Sequence, residues 1–323
     1  MSRETPEEDM AQTDRRERWG IVLAGGDGTR LRPLTRRITG DERPKQFCSI
    51  LGDDTLLHQT WRRASLVVRP EETLTVVTRT HELFYQPLLA DVAPHSVIAQ
   101  PANRGTAPAL LYALLRIARR ASGAARVAVF PSDHYVSDDE AFTAHVDLAF
   151  GVIGARPDSV ILLGIAPERA ETEYGWIEPA PPIPGVRSPV APVRRFWEKP
   201  SADVARVLLR NGCLWNSFVI VADVATLLTL IAKTLPDLYE TLDAVVGGEE
   251  TAWASEAVRV LYARLGDVNF SRTVLAARPA DLAVLPVRGV DWSDLGVPDR
   301  VHATLRKAGV ASAWAPEAVA GGT

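Results

Sequence analysis

Short apolar runs alternate with helical segments along most of this chain of 323 residues. Seven runs have the composition of buried strands: residues 19–26, 74–79, 126–131, 160–165, 194–200, 214–222 and 281–287. Four segments are predicted as helices: residues 55–68, 106–120, 202–210 and 223–234. This alternation predicts an α/β, Rossmann-like fold with a mostly parallel mixed sheet and helices on both faces. Ligands are then expected outside the carboxyl ends of the strands.

Composition excludes several classes of protein. A net charge of -4 and an isoelectric point near 5.9 argue against a nucleic-acid-binding surface. The chain has no apolar run of about 18 residues, so we expect no membrane span, and its charged N-terminus lacks a signal-peptide core. We therefore expect a cytoplasmic domain over residues 18–310 between disordered tails, 1–17 and 311–323, with Cys48 and Cys213 as reduced thiols. A homo-oligomer is compatible with this composition.

A glycine-rich segment follows the first predicted strand. A dinucleotide-binding loop needs a third glycine and a helix directly after it, and here that glycine is missing and Pro33 is expected to break the helix. The Lys-Ser/Thr pair of a Walker loop is missing too. Glycines at 25, 26 and 28 allow backbone N–H groups to approach an anion, and Arg30 can grip phosphate oxygens in a bidentate fork. The segment is therefore predicted to hold phosphate in another way.

The sequence LAGGDGTRLRPLTR (23–36) followed by PKQF (44–47) resembles the signature of sugar-1-phosphate nucleotidyltransferases. The PKQF form is similar to mannose-1-phosphate guanylyltransferases, and matching segments extend over residues 19–305. The resemblance implies a GT-A-like fold. It also implies transfer of a nucleoside monophosphate from a nucleoside triphosphate to a sugar 1-phosphate, with GTP, mannose 1-phosphate and Mg2+ as the expected substrates and cofactor.

The resemblance implies roles for individual positions. The implied catalytic residues are Arg30, Lys45 and Lys199. The implied nucleotide-binding residues are Leu23, Ala24, Gly25, Gly26, Gly28, Thr29, Gln100, Arg104, Thr106 and Ser132. Sugar-phosphate binding is implied for Gly175, Glu198 and Asn216, and metal binding for Asp133 and Asp294. Asp291 is a weaker candidate than Asp294, because Asp294 has the spacing from Trp292 and Gly296 that the family's W-x-D-x-G element requires.

Lysine usage supports two of these assignments. Of 36 basic residues only four are lysines, and two of the four, Lys45 and Lys199, fall in the matching motifs. The chain after residue 301 leaves no room for an isomerase domain, so we expect a monofunctional transferase. A non-catalytic paralogue that binds a nucleotide sugar and regulates a partner is the alternative from another class.

The chain departs from the family pattern at three places. Gly105 stands where guanylyltransferases usually have Asn, so a nucleotide with a base other than guanine stays an alternative. Phe218 replaces the glycine of a W-N-S-G element, which keeps other sugars open, such as a heptose 1-phosphate. Residues 36–43 form a longer insert than the family pattern leads us to expect, and we predict a mobile flap over the triphosphate.

Thr106 is predicted to cap the helix that follows it.

Overall fold

A computed structural model describes residues 17–121, 123–181, 188–246, 252–310 and 314. Its strands are β1 Arg18–Leu23, β2 Thr73–Thr78, β3 Val97–Gln100, β4 Arg126–Pro131, β5 Tyr135–Val136, β6 Val160–Ile165, β7 Gly175–Pro179, β8 Ala191–Glu198, β9 Leu214–Asp223, β10 Leu282–Val287 and β11 Trp292–Ser293. Its α-helices are α1 Arg32–Thr39, α2 Leu56–Ser65, α3 Glu82–Tyr85, α4 Thr106–Arg120, α5 Asp139–Ala155, α6 Ala202–Arg210, α7 Val224–Thr234, α8 Pro236–Val246, α9 Ala252–Arg264 and α10 Pro298–Ala308. Within these ranges no helix has the length and apolar composition to cross a bilayer.

The strands form a mixed sheet in the order β3-β2-β1-β4-β9-β6-β10-β8-β7. Parallel pairing joins β1 to β2 and β4, β2 to β3, and β6 to β10. Strand β9 runs antiparallel between β4 and β6, and β7 pairs with both β8 and β9. Because β9 is reversed, its beginning meets the carboxyl ends of β4 and β6 at one edge of the sheet. The predicted α/β class with a mixed sheet is confirmed.

Alternating side chains of the central strands enter two separate cores. Ile21 and Val129 pack with helices α4, α7 and α8 on one face, whereas Val22 and Phe130 pack with α2 and α5 on the other. All four side chains are at most 1% exposed. Helices therefore cover both faces of the sheet, as the alternation predicts.

The prediction that Pro33 breaks the following helix is wrong. Helix α1 spans Arg32–Thr39 with this proline in its first turn, where the missing N–H costs no hydrogen bond. The first half of the 36–43 insert belongs to α1, which Gly40 ends with a φ of 83°. Asp41 then accepts from Arg43 at 2.6 and 2.8 Å. The mobile flap stays a prediction. Residues 36–39 of the segment are helical, and residues 40–43 follow the end of the helix.

The predicted cap of α4 is wrong by one residue. Gly105 occupies the N-cap position, and the Thr106 hydroxyl instead accepts from the Phe270 N–H at 2.8 Å. Strands β7 and β8 pair antiparallel, and residues 182–187 between them lie outside the described residues.

Most of the two predicted tails also lies outside the described ranges. Of the C-terminal segment, Trp314 is described. It packs against a third apolar cluster formed by α1, α10 and the segment 48–51, and its carbonyl accepts from Arg37 at 3.5 Å.

Candidate active site

A cavity of about 420 Å³ lies at the edge where β1, β3 and β4 end and β7 and β9 begin. Predicted site residues that line it are Leu23, Gly25, Gly26, Arg30, Gln100, Thr106, Asp133, Gly175, Glu198, Asn216 and Asp294. The predicted site residues that do not line it are Ala24, Gly28, Thr29, Lys45, Arg104, Ser132 and Lys199. Residues drawn from the whole length of the chain therefore meet at the predicted end of the sheet.

The glycine loop is held open by hydrogen bonds from outside it. Gln46 donates its side-chain amide to the carbonyls of Ala24 and Gly26 at 2.9 and 2.8 Å. The Ser132 hydroxyl donates to the Leu23 carbonyl at 2.7 Å. These bonds occupy carbonyls of the strand end and loop. The loop is therefore fixed before any ligand arrives.

Asp27 anchors the tip of the same loop. Its carboxylate accepts from Asn103 at 2.8 Å and lies 3.1 Å from Nε2 of His81, a side chain only 5% exposed. Burial lowers the pKa of His81, although the Asp27 charge opposes this shift. Asp27 thus ties the glycine loop to the segment that follows β3.

Lys45 joins the two aspartates that the sequence singles out. Its ammonium lies 3.3 Å from Oδ2 of Asp133 and donates to the main-chain carbonyl of Asp294, and its side chain is only 9% exposed. The three positions are 88 and 161 residues apart along the chain, from 45 to 133 and from 133 to 294. Asp291 lies elsewhere, 2.7 Å from the ammonium of Lys307.

Asp294 sits in a network that keeps it ionised. Its Oδ1 accepts from the Tyr174 hydroxyl at 3.0 Å, from Arg300 at 2.5 Å and from the Gly296 N–H at 2.9 Å. Burial alone would raise the pKa of Asp294, but the Lys45 and Arg300 charges outweigh it and lower that pKa below its usual value. Oδ2 of Asp294 keeps its acceptor capacity for a ligand in the cavity.

Two predicted phosphate-binding cations converge on one carboxylate. Oε2 of Glu173 lies 3.0 Å from Nη1 of Arg30 and 3.6 Å from Nζ of Lys199. All three side chains are roughly half exposed, at 44 to 49%. Arg30 and Lys199 therefore lie within reach of the same small anion, and in this structure Glu173 takes that place.

The sugar side of the cavity is built on β7, β8 and β9. A Cβ on Gly175 would lie 3.1 Å from Oε2 of Glu198 and 2.9 Å from the Phe196 ring, so only glycine fits beneath that carboxylate. Burial raises the pKa of Glu198, while Lys199 opposes the shift. Asn216 accepts from the Phe218 N–H at 3.1 Å through Oδ1, which leaves its NH2 group for the cavity.

Backbone strain concentrates around this cavity. Among the described residues, three that are not glycine have a positive φ: Lys199 at 48°, Phe218 at 60° and Leu295 at 47°. One directly follows Glu198, one lines the cavity, and one directly follows Asp294. Such conformations persist only where the surrounding structure enforces them, and they cluster at functional sites.

The base side is formed by the end of β3 and the start of α4. The Tyr262 hydroxyl donates to Oε1 of Gln100 at 3.0 Å, so the Gln100 amide N–H groups are the ones left for a ligand. Arg104 does not line the cavity, and its Nε donates to the Tyr262 carbonyl at 2.8 Å. Gly105 has a φ of 84°, and a Cβ there would lie 2.5 Å from the Val268 carbonyl oxygen.

A family model described as Nucleotidyl transferase matches residues 19–308. The chain belongs to the nucleotidyl transferase family. The family resemblance drawn from the loop and PKQF motifs is thereby confirmed.

Relatives of this nucleotidyl transferase chain have related names. It is 31% identical to the xanthan biosynthesis protein XanB of Xanthomonas campestris pv. campestris over 280 residues, which are 85% of this chain and 57% of that protein. It is 30% identical to the mannose-1-phosphate guanylyltransferase ManC of Salmonella typhimurium, with the same coverage. The chain thus spans little more than half the length of these relatives. A crystal structure named mannose-1-phosphate geranyltransferase, from Thermus thermophilus, superposes with a TM-score of 0.73 at 31% identity, covering 87% of this chain and 76% of that one.

Several residues of the site were missed by sequence reasoning. Gln46, Glu173, Tyr262 and Arg300 act through contacts with chain segments far away in sequence. Only Gln46 carried a usable signal, because it lies inside the PKQF motif. The other three lie on a loop or helix whose position over the cavity depends on the folded sheet.

Proposed function

We propose that this chain transfers a nucleoside monophosphate from a nucleoside triphosphate to a hexose 1-phosphate, with release of pyrophosphate. GTP and mannose 1-phosphate are the proposed pair, since several similar proteins are named mannose-1-phosphate guanylyltransferase. The observation that carries the proposal is Lys45, a nearly buried lysine between Asp133 and Asp294 on a cavity that opens from a glycine loop. We place the activity in the cytoplasm, where nucleoside triphosphates are available.

The proposed reaction needs no side-chain nucleophile. An oxygen of the sugar phosphate attacks the α-phosphorus of the triphosphate and the bond to pyrophosphate breaks, so the electron pair leaves on an already anionic group. The barrier comes from bringing two polyanions together and from the charge that builds up on the α-phosphate. Fixed cations at that point lower it.

Each end of the cavity has a chemistry suited to one part of the substrates. The glycine loop, Arg30 and Lys45 would hold the triphosphate. Lys199 would orient the incoming sugar phosphate. Glu198 and Asn216 would accept from and donate to sugar hydroxyls, and Gln100 would meet the base.

The acidic pair fits a divalent cation with hard oxygen ligands. No cluster of three or more His, Cys, Asp or Glu suited to a metal occurs among the described residues, but Asp133 and Asp294 both line the cavity. Oδ2 of Asp294 accepts no hydrogen bond from the described residues, and the two Asp133 oxygens lie 3.3 Å from Nζ of Lys45 and 3.4 Å from Nε2 of His134. Mg2+ prefers such sites, with one or two carboxylates and the remaining positions filled by phosphates and water. When bound, the ion would neutralise charge on the phosphates. The protein's own part is to fix the two carboxylates through Lys45, Tyr174 and Arg300.

Phe218 favours one variant of this proposal. Its ring lines the cavity beside Asn216, where a glycine would leave open space. A sugar 1-phosphate other than mannose 1-phosphate, such as a heptose 1-phosphate, is therefore the second candidate substrate.

Pyrophosphate release tests the proposal. The purified chain is assayed with four nucleoside triphosphates against several sugar 1-phosphates, with and without Mg2+. Asp133→Ala and Lys199→Ala should each lower turnover by about 100-fold or more, as for the loss of an electrostatic catalytic group. Glu256→Gln, which removes an exposed carboxylate on α9, is the matched control and should keep the wild-type rate. Tight nucleotide-sugar binding without turnover of any pair would favour the regulatory paralogue.

A further inference from the structure

We propose that Asp267 reads the nucleotide base and that the base it selects is guanine. The inference rests on the proposed function, because it assigns the residue that selects the proposed nucleotide in the same cavity. Asp267 precedes Val268 on the segment between α9 and the π-helix Ser271–Leu275, and sequence motifs gave it no role. Its side chain lines the cavity on the same side as Gln100 and Gly105.

The position of Asp267 is fixed by main-chain hydrogen bonds. The Val268 N–H donates to the Arg104 carbonyl at 3.0 Å, and the Val268 carbonyl accepts from the Ala107 N–H at 3.0 Å. Oδ1 of Asp267 lies 2.9 Å from where a Cβ on Gly105 would stand. The segment therefore fills the space that a side chain at 105 would occupy and brings its own carboxylate into the base side of the cavity.

This carboxylate is exposed and has no partner among the described residues. A negative charge in a cavity that must accept a polyanion is unfavourable unless it meets hydrogen-bond donors. Asn269 stands two residues on and also lines the cavity. Its Oδ1 accepts from the Arg272 N–H at 2.9 Å, so its NH2 group is the part left to donate.

The Asp267 carboxylate can accept two hydrogen bonds, and the NH2 group of Asn269 can donate one. Guanine matches this arrangement. Its Watson–Crick edge carries two adjacent donors, N1–H and the 2-amino group, beside the O6 acceptor. Adenine and cytosine present an unprotonated ring nitrogen there, which a carboxylate repels. Uracil and thymine present one N–H between two carbonyl oxygens. A carboxylate can accept two parallel hydrogen bonds from guanine alone, and the amides of Asn269 and Gln100 can donate to O6.

Asp267→Asn gives a test in which one nucleotide should bind more weakly and another more tightly, and a misfolded variant would not give that result. Xanthine has a C2 carbonyl in place of the guanine 2-amino group, so the asparagine can accept from N1–H and donate to that carbonyl. We expect the variant to bind GTP about 10- to 100-fold more weakly than wild type, the effect of losing a hydrogen bond to a charged group. We expect it to bind xanthosine 5′-triphosphate more tightly than wild type. Calorimetric titration without sugar phosphate measures both, with Glu256→Gln as control.

The outcomes separate this inference from the proposed function. If wild type binds GTP and releases pyrophosphate but Asp267→Asn leaves the ratio of GTP to xanthosine triphosphate affinity unchanged, the reading of the base by Asp267 is wrong and the transferase proposal stands. Preference of wild type for another triphosphate overturns guanine selection and GTP as the proposed substrate, while nucleotidyl transfer to a sugar 1-phosphate stands. Selective GTP binding that responds to Asp267→Asn, without turnover of any sugar 1-phosphate, supports the base reading and overturns the transferase.

Discussion

Phe218 offers a sharp test of strain at the site, because its backbone has a φ of 60° on strand β9. An L-residue in this left-handed region costs about 1–2 kcal/mol, a cost that glycine avoids. The ring is half buried and contacts Phe270 edge-on, with centroids 6.2 Å apart. Removing it loses about 1 kcal/mol of apolar burial and about 1 kcal/mol of aromatic contact. Phe218→Ala should therefore lower the free energy of unfolding by about 2 kcal/mol.

Phe218→Gly loses the same ring but relieves the strain, so it should be about 1 kcal/mol more stable than Phe218→Ala. Urea unfolding of both variants measures the difference. Leu214, half buried on the same strand with a negative φ, supplies the matched control. There Ala should be more stable than Gly, by about 0.5–1 kcal/mol. If Gly is also the less stable variant at 218, the strain argument is refuted.

Further predictions concern substrate binding at the same cavity. Glu173→Gln frees Arg30 and Lys199, so KM for the sugar 1-phosphate should fall about two- to fivefold, the range of an exposed ion pair; an unchanged KM would contradict competition by Glu173. The ionised Glu198 carboxylate accepts from a hydroxyl more strongly than the neutral acid does, and burial raises its pKa above the ordinary 4.5, so kcat/KM should fall as the pH drops through that raised pKa. Glu198→Gln should remove this acid limb in a pH profile of initial rates, while a limb that persists would assign it to another group.

Much of the fold could be predicted from sequence because its signal is local. Buried parallel strands read as apolar runs, and helices such as α4 carry their own periodicity and basic last turn. The error at Pro33 came from treating proline as a helix breaker without asking where the helix begins. The order of strands around β9 had no local signal, because pairing across the sheet depends on contacts far apart in sequence.

For the site, the sequence motifs predicted residues that lie within a recognisable local pattern of glycines or charges. They missed residues whose role depends on contacts that form only in the folded chain. Lys45, Asp133 and Asp294 meet because the PKQF turn packs against the residues that directly follow β4 and β11. Glu173 could not be predicted, since its effect depends on Arg30 and Lys199 arriving from opposite sides. Arg104 carried a motif position, and its Nε donates to the carbonyl of Tyr262 on α9, so its predicted contact with the nucleotide stays a prediction.

Two of the three departures from the family pattern, Gly105 and Phe218, contact one segment, residues 268–270. Val268 packs on the bare backbone of Gly105, while Phe270, two residues later, contacts the Phe218 ring and donates to Thr106. A side chain at 105 would displace this segment, and a glycine at 218 would remove its aromatic partner. Base side and sugar side are therefore coupled through residues 267–270. Substitutions of Phe218 that change sugar selectivity should therefore also change the affinity for the nucleotide. If the two sides of the cavity were independent, the same substitutions would leave nucleotide affinity unchanged.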